Sequence, residues 1–576
     1  MRKEKDNSKL FLLRMIWKHL SLKRKKQLFL LLILIVLSGI AEIYSVASVI
    51  PFLNNFSNSE SEFTISILEP LYKIFFQFQK LNPIIFSTGI FLVCISIAAS
   101  LRLINLYLAN FISAAIGSEF SSTAYRLTLN QPYSRHIEIN SSEIISLIVT
   151  QTDVTVGVIK TIILFITAII VSIGLIYSLF IINWILSISI SLVLISLYLI
   201  LAAYFKIRLK KVSKSRAILV KQQTRSLQEG LGSIKDIILD NSQDFYSKLF
   251  KKSDNPIRFI SAKSEFIAGS PRYLIEVVSL FIIIFIACIY KLFIDLNANI
   301  IPLLGSMTLG LQRLLPAFQQ AYNSWVIITI NTNSALDFLY LLDQKPYFEK
   351  KSNKNFLFKN KIQLKNVSFS YRRNSKKIIE NFNLEIIKGE RIGIIGPSGK
   401  GKSTLGDILM GLLKPTSGTI EIDGINLHAN NKFSKNDWYK NISHVPQDIF
   451  LIDSSIAENI AFGVPSEKID KRKLMKVIKA SKLSNFIKNI DDAFLTFVGE
   501  RGLKLSGGQR QRIGIARALY KGGNILILDE ATSALDEKTE SSIMKTIDSL
   551  NSSITVLIIT HRLSTLKNCN RIVDIG

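Results

Sequence analysis

The chain has 576 residues, 48% of them hydrophobic, and 71 Lys and Arg against 43 Asp and Glu give a formal net charge of +28. That length calls for more than one domain. The basic residues are spread over both halves rather than gathered into an interleaved basic and aromatic patch, which argues against nucleic acid as a partner. Cys94, Cys288 and Cys569 are too scattered for a disulfide framework or a zinc site.

The chain opens with MRKEKDNSKLFLLRMIWKHLSLKRKK. This stretch is too charged for a cleavable signal and lacks a small-residue cleavage site, so the first apolar run is expected to be a retained anchor. Long apolar runs predict six membrane spans at Leu28–Ile50, Ile84–Leu108, Ile162–Ile182, Trp184–Tyr204, Tyr273–Tyr290 and Ile300–Ile330. The third and fourth form one stretch too long for a single crossing, which predicts a tight hairpin at Asn183 and Trp184. Lysine and arginine crowd the N-terminal flank and KIRLKKVSKSR after the fourth run. Both flanks are therefore expected on the cytoplasmic side.

Between the first two runs lies SILEPLYKIFFQFQK, Ser66–Lys80. With Pro70 at the first helical position, Glu69, Lys73, Gln77 and Lys80 share about 80° of helix circumference and apolar residues fill most of the rest. At ~1.5 Å per residue such a helix covers only ~16 Å, too short to span. It is expected on the extracytoplasmic side, lying flat or packed on the spans. Segments 109–158 and 206–270 are polar but helix-compatible and longer than compact loops require, so they are expected to project into the cytoplasm as helices.

A charged, Asn-rich connector, Asp343–Lys361, leads into the alternating strand pattern IQLKNVSFSY. The division is thus a membrane domain over 1–345 and a soluble α/β domain over 346–576. In the latter, RIGIIGPSGKGKST runs from an apolar strand through a glycine-rich turn into a helix pattern and satisfies GxxxxGK[ST]. Gly396, Gly399 and Gly401, with Pro397, Ser398 and Lys400 between them, form a loop whose amides can curl around ATP phosphates. Lys402 reaches the β and γ oxygens, Ser403 offers a hydroxyl to Mg²⁺, and Thr404 is expected among the nucleotide-binding residues. Downstream, NILILDE places Asp529 and Glu530 at a strand end, where Mg²⁺ and an attacking water would sit. Glu530 is the expected hydrolytic base.

With LSGGQRQRIGIARAL these pieces resemble the ATPase domain of the ABC transporters, over the whole soluble domain. The resemblance implies that Ser506, Gly507, Gly508 and Gln509 contact ATP bound to the glycine-rich loop of a second copy, hence a head-to-tail homodimer with two ATP between subunits. It also implies that Tyr371 stacks on adenine, that Gln447 stands near Mg²⁺ and water, that His561 contacts the γ-phosphate, and that Asp536 lies at the dimer seam. VGERG, Val498–Gly502, resembles the exporter form of the family. LNQPYSRH near Gln131 and EGLGSIKDI near Gly230 occupy the positions of its two coupling helices.

The fold class is accordingly an α-helical membrane domain of six spans with long cytoplasmic extensions, followed by an α/β P-loop ATPase domain. That arrangement resembles a half-size exporter in the inner (plasma) membrane, with the N-terminus and ATPase domain cytoplasmic. Arg102, Arg313 and Glu276 are the charges weighed inside the spans. The arginines, doubled in a dimer, would suit a phosphate or pyrophosphate, and Glu276 can snorkel. Together with the short external helix they give a similarity to PglK-type lipid-linked oligosaccharide flippases. By that resemblance Arg102 and Arg313 engage a lipid head group while Leu71, Phe75 and Phe78 engage its tail. Exporters of peptides, drugs or other lipids, and a nucleotide-gated membrane ATPase without pumping, are the alternatives. The chain stops at RIVDIG, earlier than that family commonly ends.

Overall fold

The computed structural model describes residues 9–56, 82–182, 184–293, 301–344, 356–372, 375–428, 434–488 and 492–575. Ser66–Lys80, and with it Leu71, Phe75 and Phe78, lies outside them. The chain divides into two compact units, Met1–Gln131 with Glu138–Pro346, and Pro132–Ile137 with Tyr347–Gly576.

The first unit is helical: α1 (Lys9–His19), α2 (Leu22–Ala47), α3 (Val49–Phe56), α4 (Pro83–Leu129), α5 (Tyr133–Glu138, assigned to the other unit), α6 (Ser141–Ser146), α7 (Thr152–Ile182), α8 (Trp184–Gly232), α9 (Ile234–Leu239), α10 (Gln243–Phe293) and α11 (Ile301–Leu342). Local chemistry sets the starts. Ser21 Oγ caps α2 by accepting from Arg24 N, while Asn82 Oδ1 accepts from Ile84 N with Pro83 at the first helical position. One π turn, Leu147–Gln151, joins α6 to α7. The expected hairpin lies where α7 ends at Ile182 and α8 begins at Trp184.

Helices α4, α8, α10 and α11 run 47, 49, 51 and 42 residues. At ~1.5 Å per residue each exceeds 60 Å, about twice a bilayer core, so the polar tails of the apolar runs continue the same rods. Five helical stretches among the described residues are long and apolar enough to cross a membrane. The remaining expected span, Tyr273–Tyr290, lies within α10, several of whose side chains are outside the description. Outward faces carry exposed Leu30, Ile33, Leu37, Ile173 and Leu192, as lipid contact requires. Inside, α2 and α7 meet at glycines: a Cβ on Gly174 would lie 2.9 Å from the carbonyl oxygen of Gly39.

The second unit holds two sheets. Strands β1 (Lys361–Phe369), β2 (Ile379–Ile387), β4 (Ser417–Ile422) and β5 (Ile425–Asn426) form an antiparallel sheet in the order β2-β1-β4-β5. Strands β3 (Arg391–Ile395), β6 (Ile442–Val445), β7 (Ile525–Asp529), β8 (Thr555–Ile559) and β9 (Arg571–Asp574) form a parallel sheet, β6-β7-β8-β3-β9. Every residue of β7 and β8 is buried, which is why both read as unbroken apolar runs rather than alternating ones. Helices α12 (Lys402–Leu409), α13 (Lys435–Lys440), α14 (Ile456–Ile460), α15 (Lys471–Ala480), α16 (Ser484–Lys488), α17 (Gly507–Lys521) and α18 (Glu537–Asp548) complete the unit.

Candidate functional site

Because β6, β7, β8 and β3 are adjacent and parallel, their C-terminal ends emerge side by side. Each end delivers one group, as open parallel sheets do at their carboxyl edge. Gln447 follows β6, Asp529 and Glu530 close β7, His561 follows β8, and Gly396–Gly401 follows β3. Residues up to 165 positions apart in the sequence thus share one ridge.

The loop after β3 needs left-handed backbone at Gly401, φ 95°, where α12 begins. A Cβ there would also sit 2.7 Å from Ile378 Cγ2, so only glycine fits. Ser398, Gly399 and Lys400 are exposed on the loop, and the buried Lys402 donates from Nζ to the carbonyl oxygens of Gly396 (2.7 Å) and Pro397 (3.0 Å). Its ammonium is thereby held across the loop beside the amide-rich start of α12. Thr404 Oγ1 lies 3.1 Å from the hydroxyl of Tyr371, whose exposed ring stands edge-on to Phe369.

Asp529 is 9% exposed and is hydrogen-bonded by Ser403, while its Oδ1 is buried without a partner. Burial pushes this carboxyl above its usual range, against the pull of Ser403. Burial likewise pushes Asp407 up to about 6, with Asp529 adding to the shift. A hydroxyl, an orphaned carboxylate oxygen and a nearby lysine fit Mg²⁺ carried by a nucleotide, in which phosphate oxygens supply the other ligands.

Glu530 accepts from Gln447 Nε2 at 2.9 Å and lies 3.2 Å from His561 Nδ1. The structure therefore brings together Glu530, the expected base, Gln447, expected near Mg²⁺ and water, and His561, expected at the γ-phosphate. Glu530 also has φ 45°, left-handed for a non-glycine residue, pinned by its N–H donating to Ile559 O at 2.8 Å.

At the signature, Ser506 caps α17, with Gln509 N donating to Ser506 Oγ and Ser506 N to Gln509 Oε1. In this chain the Gln509 side chain is engaged in that capping box. Sequence reasoning missed the next layer. Gln511 ties α17 to Ser533 Oγ (2.9 Å) and Ala534 N (2.9 Å), and buried Glu540 accepts from Thr532 Oγ1 (2.6 Å) and Arg562 Nη1 (3.4 Å). The signature, the Asp536 turn and the His561 loop are thus braced as one frame. Asp536 itself caps α18 through Thr539 N.

In the helical unit, Arg102 and Arg313 are not free cations. Arg102 Nε lies 2.6 Å from Glu42 Oε1, and Arg313 Nη1 lies 3.1 Å from Glu42 Oε2 and 2.5 Å from Ser45 Oγ. Glu42, 1% exposed, was overlooked in the sequence because it sits in an otherwise apolar run. Two guanidiniums around one carboxylate leave one net positive charge. Glu276 is on an exposed face of α10.

The profile of the ABC transporter transmembrane region matches residues 28–304, and that of the ABC transporter matches residues 379–533. The ATP-dependent lipid A-core flippase of Pseudoalteromonas translucida is 29% identical over 474 residues, covering 81% of this chain and 80% of that protein. The alpha-hemolysin translocation ATP-binding protein HlyB of Escherichia coli is 44% identical over 231 residues, 39% of this chain and 31% of that one. A bacterial Atm1-family ABC exporter with ATP bound superposes with TM-score 0.76 at 20% identity, covering 96% and 93% of the two chains.

Proposed function

Since the chain belongs to the ABC transporters and has the half-size exporter fold, we propose that its cargo is an anionic lipid-linked saccharide, flipped from the cytoplasmic to the outer leaflet. The protein is a multi-pass, ATP-hydrolysing exporter. What carries the cargo reading is the Glu42 cluster. With Glu42 buried, Arg313 partly buried and Arg102 about half exposed on the apolar helical unit, the surplus positive charge is expensive in a membrane, and it is matched by a phosphate or pyrophosphate, which accepts bidentate guanidinium bonds. The relatives named as lipid A-core flippases support a lipid over a soluble cargo. Two copies form the working unit, in the inner membrane with the ATPase units cytoplasmic.

In each copy the amides of Gly396–Gly401 and Lys402 hold the nucleotide phosphates, and Tyr371 offers its exposed ring to the base. Ser403, Asp529 and Gln447 are the residues that would hold Mg²⁺, which would supply charge neutralisation on the transferring phosphate. Glu530 orients water and takes its proton, steadied by Gln447 and His561. Ser506, Gly507, Gly508 and Gln509 close the site of the other copy, favouring an outward-facing cavity until hydrolysis resets it. Reconstituted into vesicles, the protein is expected to move a pyrophosphate-linked oligosaccharide lipid between leaflets with ATP. Movement of only a peptide or a hydrophobic drug, tested in parallel, sinks the reading.

A further inference from the structure

Further along α11 than Arg313, the helical unit carries a second polar feature, half open to its surroundings. A cavity of about 400 Å³ lies among α8, α10 and α11, lined by Arg216, Ser264, Glu265, Gln319, Asn323 and Asn331 with apolar Val326 and Ile330. Its volume falls in the range of small-molecule sites. Part of the lining is already satisfied: Arg216 Nη1 donates to Asn331 Oδ1 (2.6 Å), and Gln319 Nε2 donates to Ala268 O (2.6 Å) while its Oε1 accepts from Tyr198 (3.1 Å). Asn323 and Glu265 have no hydrogen-bond or ion-pair partner among the described residues and both border the cavity.

One cation and one anion leave this lining with no net charge, unlike the Glu42 cluster. Its amides, carboxylate, hydroxyl and guanidinium mix donors and acceptors, which suits neutral, hydroxyl-rich ligands and gives a phosphate no surplus charge to meet. Gln319, Asn323 and Asn331 are spaced by four and eight residues, so they share one helix face. From Arg313 that face extends about 9 Å to Gln319 and about 27 Å to Asn331 along the axis, toward the end of α11 that leads to the ATPase unit. We propose that the cavity seats the neutral saccharide portion of the head group while the arginine cluster holds its phosphate.

This rests on the lipid-linked saccharide reading, and one experiment separates the two. ATPase activity of the full chain in vesicles is measured with a polyprenyl pyrophosphate carrying an oligosaccharide and with the same polyprenyl pyrophosphate without sugar. Asn323→Leu and the near-isosteric Glu265→Gln are each expected to raise the half-maximal concentration of the glycosylated lipid about tenfold, the loss of roughly one good hydrogen bond. Basal activity and the response to the bare lipid stay as in the wild type. Equal shifts for both lipids, or none for either, overturn the saccharide seat while leaving the lipid reading standing. If neither lipid stimulates the wild-type protein, the lipid reading itself falls and the seat with it.

Discussion

Glu530 concentrates the chemistry of the ATPase unit in one residue: a carboxylate in left-handed backbone, hydrogen-bonded by Gln447 and close to His561. Glu530→Gln keeps the shape and loses the basic oxygen. Phosphate release is expected to fall by about 10²–10⁴ with nucleotide binding retained; wild-type release would remove Glu530 from the role. Two histidines set an acid limit. Burial pushes His428 and His444 down to about 4, helped by Lys435 and Lys414 at the first and Lys521 at the second. The unfolded chain takes up these protons near 6.5 and the folded chain only near 4, so stability is full above 6.5 and is lost as pH falls between those values. His444→Asn should flatten the fall in Tm between pH 7.5 and 5, and an unchanged slope would refute this. The phosphate loop, the paired acids and the signature were legible at this scale because each is a contiguous motif whose backbone and side chains act together. Glu42 was not legible: the arginines that give it meaning are 60 and 271 positions away.

Among elements, the contact of α2 with α7 depends on two residues lacking side chains. Gly174→Val places carbon against the Gly39 carbonyl, and overpacking of this kind costs about 1–3 kcal/mol. A lowered Tm in detergent with nucleotide affinity unchanged is expected, because the lesion is confined to the spans. The Glu42 cluster makes a sharper case. Arg313→Gln removes the surplus positive charge and leaves Glu42 neutralised by Arg102 at 2.6 Å, so Tm should change little while lipid-stimulated ATPase activity falls. Glu42→Gln instead strands both arginines without a counter-charge and should lower Tm clearly more than Arg313→Gln; equal Tm values for the two variants would mean that Glu42 does not neutralise the cluster. Five of the expected spans were readable from hydropathy alone, and the break between Ile182 and Trp184 from the length of the apolar run. The amides at 319, 323 and 331 escaped notice because a polar stripe on a helix resembles any solvated face until its neighbours are known.

At the scale of the whole molecule, the proposed head-to-tail pair would make each ATP site from two chains. Lys402→Ala and Ser506→Arg therefore behave differently according to how they are distributed. Carried on separate chains of a mixed dimer they leave one site intact; carried together on one chain opposite a wild-type partner they damage both. Vanadate-trapped nucleotide should persist in the first arrangement and vanish in the second, whereas equal trapping would contradict shared sites. The pairing itself was implied only by family resemblance, since nothing in a single sequence encodes which surface meets a copy of itself. Helix continuity has a mechanical meaning beyond its role in crossing the bilayer. Over its 49 residues α8 contains no proline, whereas α10 carries Pro256 and Pro271 in its interior. An interior proline removes a backbone hydrogen bond and lets a helix bend. The two rods thus act as a stiff lever beside a jointed one: a tilt of about 5° at the bilayer moves the tip of a ~35 Å extension of α8 by ~3 Å, while α10 can absorb the same swing at its joints.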